Sequence, residues 1–326
     1  MCELLPGDFR YNECGMKQAG ASNTIYNSQK PQGAEVIGPM DLWEILKLIL
    51  YGLVEGITEW LPVSSTGHLI LLEKFLPLQL SPEFLALFRI VIQLAAILAV
   101  VIYFWPQLWP IKRQAQHPSR ARLHPLGSAW AWDLDILSLW GKILLACVPA
   151  GIVGLCLDEF FEKYFYNPLS VALALILVAL VFLLVESRQT GQTPRIVHHR
   201  QITWQIALLI GCFQMLAGVF PGVSRSGACI IGGLLLGLSR PAASEFSFFL
   251  AIPVMAGASL LKLLRLPVSA SSMELLALAL ACLVAFATSL LTIKYFLAYV
   301  RSHSFRGFAY YRIALGLVIL LFLALT

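Results

Sequence analysis

EGITEWLPVSSTGH, residues 55–68, sets two carboxylates, a proline, three consecutive hydroxyls and a histidine between runs that read as lipid-facing. Glu55 and Glu59 are four apart, so on a helix they share one face, one turn from each other. A charged side chain at the bilayer centre costs roughly 3 kcal/mol on insertion scales, so such a pair faces water, a partner or an ion unless it sits at the interface. Pro62 interrupts that helix. Ser64, Ser65 and Thr66 then fall where a new helix would begin, with Gly67 and His68 just inside it. One serine at a helix start is ordinary capping. Three hydroxyls together with free backbone N–H groups and the positive end of the helix dipole make an anion site.

The surroundings of the stretch decide the fold class. The 326 residues are 59% hydrophobic and 13% charged, with a mean hydropathy of +0.78, outside the range of ordinary soluble domains. Runs at 84 to 105, 136 to 157, 169 to 186 and 241 to 261 approach or exceed the roughly 20 helical residues that cross a bilayer. An all-α polytopic membrane protein follows, because lipid offers backbone groups no outside partner. The net charge of +5 lies in loops, without the basic stripe that nucleic acid would require. Five of the seven cysteines lie inside apolar segments and none forms a CxxC pair, so neither a disulfide framework nor a zinc site is inferred. Residues 1–39 are polar and lack the basic start and apolar stretch of a signal peptide. They read as a mobile extension, or as the product of a start assigned too early, since Met40 directly precedes DLWEILKLILYG.

Two halves read alike, 40–200 and 201–326. Each opens with a short apolar arm, 42–54 or 203–220, then a proline and hydroxyl cluster, then a second short arm, 64–76 or 223–238. Three longer segments follow in each half, 84–105, 136–157 and 169–186, then 241–264, 274–297 and 308–326. An arm of 13 residues is too short to span, so each opening pair is expected to dip in and return as a re-entrant helical hairpin. The loops 106–135, 187–202 and 298–307 then fall on one side. They carry Lys112, Arg113, Arg120 and Arg122, then Arg188, Arg195 and Arg200, then Arg301 and Arg306. The positive-inside rule makes that side cytoplasmic. Three spans per half, an odd number, invert one half against the other, and inverted repeats with broken helices place their site near the midplane where the hairpin tips meet.

The second tip, PGVSRSG, sets Arg225 between Ser224 and Ser226, followed by Gly227. Arginine offers a planar fork suited to phosphate oxygens; pairing with Glu55 or Glu59 is a compatible second role. An anion beside two carboxylates is repulsive by several kcal/mol at about 4 Å. A proton would relieve this, but a hard divalent cation, Mg2+ or Ca2+, suits an all-oxygen set. The residue types therefore point to a metal-assisted site for a phosphate or diphosphate. Gln93, Glu245 and Lys142 interrupt apolar segments as cavity-lining or interhelical groups, and His198 and His199 read as solvated.

EGITE with WLPVSSTGH, VIQLAAILAV, PGVSRSG and SFFLAIPV together resemble the undecaprenyl-diphosphate phosphatases of the bacitracin-resistance type, over residues 40 to 326. The resemblance implies a membrane hydrolase that converts undecaprenyl diphosphate to the monophosphate and phosphate. That would recycle the lipid carrier for cell-wall synthesis, with divalent-cation dependence and an inverted-repeat architecture. It implies Glu55 and Glu59 as the acidic motif in metal or proton handling, Ser65 and His68 as catalytic members of the first hydroxyl motif, and Arg225 as the catalytic cation. Ser64, Thr66, Ser224, Ser226 and Gly227 are the expected substrate-binding residues, and the nucleophile is either Ser65 or an activated water. Cys229 stands where the family usually has threonine. The implied location is the bacterial inner membrane with the site facing outward; whether the chain acts alone or as a homodimer stays open. Without these motifs, the repeat and midplane anion site would point to a transporter or flippase of a phosphorylated isoprenoid lipid.

Overall fold

The computed structural model describes residues 41–113, 130–165, 167–189, 191–264 and 270–325. The N-terminal extension lies outside them. The first half contains α1 (Leu42–Thr58), α2 (Ser65–Phe75), α3 (Pro82–Tyr103), the single turn α4 (Trp105–Leu108), α5 (Leu134–Phe165) and α6 (Pro168–Gln189). The second contains α7 (Trp204–Val219), α8 (Arg225–Leu235), α9 (Arg240–Leu263), α10 (Ser272–Val300) and α11 (Arg306–Leu325). Among the described residues, six helices are long and apolar enough to cross a membrane, namely α3, the first part of α5, α6, α9, α10 and α11. The paired short helices are α1 with α2 and α7 with α8, in the order the sequence suggests.

Helix starts follow local chemistry. Asp41 accepts from Glu44 N at the head of α1. Ser81 precedes Pro82 at α3, and Ser239 precedes Arg240 and Pro241 at α9. Ser271 and Glu274 form a reciprocal capping box at α10. Two stretches depart from the sequence reading. The segment expected over 136–157 runs on to Phe165 as α5. The connection 106–135 contains α4 and a two-stranded antiparallel ribbon, β1 (Ile111–Arg113) with β2 (Trp130–Trp132); its remainder, 114–129, lies outside the described residues.

The packing is reciprocal. α1 lies on α10 of the other half, α7 lies on α5, and α3 with α9 and α6 with α11 complete the set. Glycine makes both hairpin crossings close. A Cβ on Gly52 would stand 2.7 Å from the Ala281 carbonyl oxygen of α10, and one on Gly211 would stand 2.2 Å from that of Ala146 on α5. Gly52 and Gly211 are equally far ahead of Pro62 and Pro221. Lipid gives no hydrophobic drive for helix association, so such small-residue contacts carry it. Ala146 at the second crossing belongs to an aromatic core that includes Trp60, Phe104, Phe182, Phe248, Phe249 and Phe305, and Ala281 at the first to a smaller cluster with Leu48, Tyr51 and Phe88.

Two charged pairs join neighbouring helices away from the hairpin turns. His199, read as solvated, is instead 8% exposed, with Nδ1 2.8 Å from Glu245 Oε2 of α9 and its ring edge-on to Phe249. Adjacent residues in a basic loop gave no hint that one would fold inward. Arg89, within α3, pairs with Glu73 of α2 at 2.5 Å.

Candidate active site

The two hairpin turns share an unusual backbone. Ser64 and Ser224, the N-caps of α2 and α8, have φ 73° and 70°, the only non-glycine positive φ values among the described residues. Their ψ values of 100° and 119° lie outside the left-handed helical well. Such residues cost about 1–3 kcal/mol each and persist where surroundings over-determine them. At the first turn, His68 Nδ1 donates to the Ser64 carbonyl at 2.7 Å. At the second, Gly227 N donates to Ser224 Oγ at 3.2 Å, and Ser224 and Ser226 hydroxyls are 3.0 Å apart. A fully buried guanidinium ties both turns together. Arg312 of α11 donates to Pro62 O at 3.2 Å, to Gly222 O at 2.9 Å and Val223 O at 3.2 Å, and to Leu175 O of α6 at 3.3 Å.

Charged groups from the two motifs meet between these turns. Glu59, at the C-cap of α1, receives Ser65 Oγ on Oε2 at 2.7 Å and Arg225 Nη2 on Oε1 at 3.1 Å. Arg225 opens α8 and donates through Nη1 to Ser247 O of α9 at 2.7 Å. Its guanidinium lies 5.7 Å from the ring of Trp60, which is itself braced edge-on against Phe248. Ser226 reaches back to the first turn, donating to Leu61 O at 3.1 Å. Hydroxyl, carboxylate and guanidinium thus form one chain across the hairpins, with Arg225 11% and Glu59 7% exposed at the side chain.

Other expected residues take different positions. Glu55 is buried one turn before Glu59, and its Oε1 has no hydrogen-bond partner. Ser64 is buried at its turn and Thr66 half-buried beside Ser65. Ser226 and Gly227 are buried, with the Gly227 amide already spent on Ser224. His68 Nδ1 faces a carbonyl and must carry a proton, and in the neutral imidazole Nε2 then accepts from the Tyr311 hydroxyl 2.6 Å away. Tyr311 also stacks on the imidazole at 5.6 Å. His68 therefore braces the first turn.

Arg312, Tyr311 and Ser247 escaped the sequence reading. Arg312 had a readable signal, an arginine inside an apolar span, and Ser247 opens SFFLAIPV. Tyr311 had none, since tyrosines at segment ends commonly serve as interfacial anchors. As for a metal, no group of three His, Cys, Asp or Glu side chains gathers among the described residues. The free Oε1 of Glu55 beside Glu59 nevertheless fits a hard cation whose further ligands are phosphate or water oxygens.

Comparison with known proteins converges on one family. Residues 48–318 match the model of the bacitracin resistance protein BacA. The chain is 46% identical to an undecaprenyl-diphosphatase of Desulfitobacterium hafniense, covering 87% of this chain and 97% of that protein. It is 45% identical to one of Lachnoclostridium phytofermentans, over 86% and 97%, and 44% identical to one of Enterococcus faecalis, over 88% and 99%. With a family match over most of its length and relatives covered nearly end to end, the chain belongs to the BacA bacitracin-resistance family.

Proposed function

We propose that the chain is a membrane hydrolase that converts undecaprenyl diphosphate to undecaprenyl phosphate and inorganic phosphate, and so confers bacitracin resistance by returning the lipid carrier to cell-wall synthesis. The observation that carries the chemistry is the Ser65–Glu59–Arg225 chain between the two strained turns. A hydroxyl within 2.7 Å of a carboxylate is a nucleophile with its base in place. Ser65 Oγ attacks the terminal phosphorus as its proton passes to Glu59, and the bond to the bridging oxygen breaks to release undecaprenyl phosphate. Water then cleaves the phosphoserine, giving phosphate and restoring the hydroxyl. The Arg225 fork exchanges its contact with Glu59 for the equatorial phosphoryl oxygens, where charge develops. Tight support from Ser247 and Trp60 aims it before substrate arrives.

Glu55 and Glu59 would hold a divalent cation, Mg2+ or Ca2+, which supplies the positive charge that lets a diphosphate approach two carboxylates. Ser64, Thr66 and Ser224 border the phosphate, while Ser226 and Gly227 act by fixing the turns. The two halves are inverted repeats with re-entrant hairpins in the plasma membrane. Support comes from the reciprocal pairing of α1 with α10 and α7 with α5, and from the basic loops 187–202 and 298–307, placed on the cytoplasmic side with the site opening outward.

Purified protein in detergent, given C55 diphosphate labelled at the terminal phosphate with Mg2+ or Ca2+, tests this reading. Phosphate release is expected, with a loss of at least about 10³-fold in Ser65→Ala, and acid quenching should trap label on the parent protein. Activity retained in Ser65→Ala, with no trapped label in the parent, would replace the serine by water.

A further inference from the structure

Away from the reaction site, the start of the α6–α7 loop, the α8–α9 turn and the end of α10 enclose a cavity of about 580 Å³. Four arginines line it, Arg188, Arg195, Arg240 and Arg301, with Ser239 and Gln192 between them. Among the described residues no aspartate or glutamate lines it. α8 connects the two places, running 11 residues from Arg225 at the reaction site to Leu235 in the cavity wall. By helical rise that is about 15 Å.

One of the four lining arginines has a carboxylate counter-ion. Glu186 holds Arg240 through two contacts, 2.9 Å to Nε and 2.6 Å to Nη2, and also accepts from Phe305 N at 2.9 Å. Arg240 is thereby aimed by its own counter-ion, while Arg188, Arg195 and Arg301 are exposed and bring three further positive charges to the rim.

The walls are built before any ligand arrives. Arg195 N and Ile196 N both donate to Gly237 O, at 2.9 and 3.1 Å, and Ser239 N returns a bond to Ile196 O at 2.7 Å. Gly237 has φ +87°, and a Cβ there would stand 3.5 Å from the Arg195 side chain, which therefore runs along the turn. The Gln189 side-chain amide secures the Leu234 carbonyl. α9 begins at the cavity with Ser239 as its cap, adding the positive end of a 24-residue helix.

We propose that this pocket binds a phosphate group, either the phosphodiester of an anionic phospholipid headgroup or inorganic phosphate. Convergent guanidinium forks match tetrahedral oxyanions, and basic pockets between helices at the cytoplasmic surface are suited to anionic headgroups. The choice of leaflet rests on the orientation proposed above; the pocket chemistry does not.

The test uses delipidated full-length protein in detergent, with phosphatidylglycerol, phosphatidylcholine and sodium phosphate as probes at matched ionic strength. Native mass spectrometry and thermal melting are read for the parent and for Arg195→Gln/Arg301→Gln. Arg301→Gln alone serves as a milder variant in case the double one folds poorly. Phosphate is titrated in the Arg225→Ala background, which silences the reaction site.

Phosphatidylglycerol binding at least tenfold weaker in the variants, with phosphatidylcholine indifferent and phosphatase activity within twofold of the parent, identifies the headgroup. A melting rise with phosphate that the variants lose, without a lipid response, identifies free phosphate. Equal responses of parent and variants to both probes, or no binding by the parent, would overturn the proposal. Because phosphatase activity is followed separately, a failed pocket and a failed catalytic assignment give different results.

Discussion

At the same distance ahead of the turn proline, the first hairpin carries Glu55 and the second carries Gln214. The two hairpins share a backbone: a glycine at the crossing, Gly52 or Gly211, a positive-φ serine, Ser64 or Ser224, and a glycine three residues on, Gly67 or Gly227. They differ in what the backbone presents. Where the first has Ser65, Thr66 and His68, the second has Arg225, Ser226 and Ala228. Two copies of the first would set carboxylate against carboxylate, and two copies of the second would set guanidinium against guanidinium. One hairpin carries the acid and hydroxyl and the other the cation, and the Glu59–Arg225 pair at 3.1 Å joins them. Repetition supplies the cradle, and asymmetry supplies the chemistry.

Removing the cation breaks that division most severely. Arg225→Ala is expected to lower kcat/KM by at least about 10³-fold, since one preorganised charge-stabilising donor is commonly worth 10²–10³ and Glu59 is left without its counter-charge. Arg225→Lys keeps the charge but loses the fork that spans Glu59 and Ser247, so activity should return only in part. Steady-state phosphate release measures both. Equal activity of the lysine variant and the parent would show that charge alone suffices and that the geometry at Ser247 is incidental.

Much of this was legible beforehand. Hydropathy located five of the six long helices within a few residues and the start of α5, whose end lies eight residues further on, because lipid permits little besides helix. Glu59, Ser65 and Arg225 were readable because polar groups at membrane depth need a reason. Three features were not. Opposed roles for Glu55 and Gln214 depend on register between halves, which a one-residue insertion at Gly222 obscures. Arg312 pairs with backbone carbonyls, which no side-chain motif encodes. The inward turn of His199 depends on Glu245, 46 positions away in sequence.

The crossings offer a smaller break, in stability. Gly211→Ala drives a Cβ to 2.2 Å from the Ala146 carbonyl oxygen and 2.8 Å from its carbonyl carbon and Cα, all backbone. At Gly52 the close atoms are the Ala281 carbonyl oxygen at 2.7 Å, Val284 Cβ at 2.9 Å and Val284 Cγ1 at 3.1 Å, of which only Cγ1 can rotate away. Overpacking of this kind costs about 1–3 kcal/mol, so both variants should melt several degrees lower, with Gly211→Ala the worse. Thermal unfolding in detergent ranks them. The reverse order would mean that α1 on α10 is the more rigid of the two crossings.

The smallest expected effect sharpens the comparison most. Glu55 Oε1 is buried without a partner, and the first hairpin offers Leu69 where the second has Cys229. In the second hairpin the thiol of Cys229 donates to Gln214 Oε1 at 3.6 Å, fully buried. One hairpin thus satisfies its polar oxygen internally, while the other leaves it unpaired. Cys229→Thr keeps a donor and brings it closer, since hydroxyl bonds run near 2.8 Å. Activity is expected within twofold of the parent and stability within about 1 kcal/mol, the added methyl being the only strain. Cys229→Val has a similar shape without a donor, and leaving the Gln214 oxygen unpaired should cost about 1–3 kcal/mol. Melting temperatures of the two variants separate donor loss from packing. If valine and threonine are equally stable, the thiol contact contributes nothing, and the closed state of the second hairpin rests on packing alone.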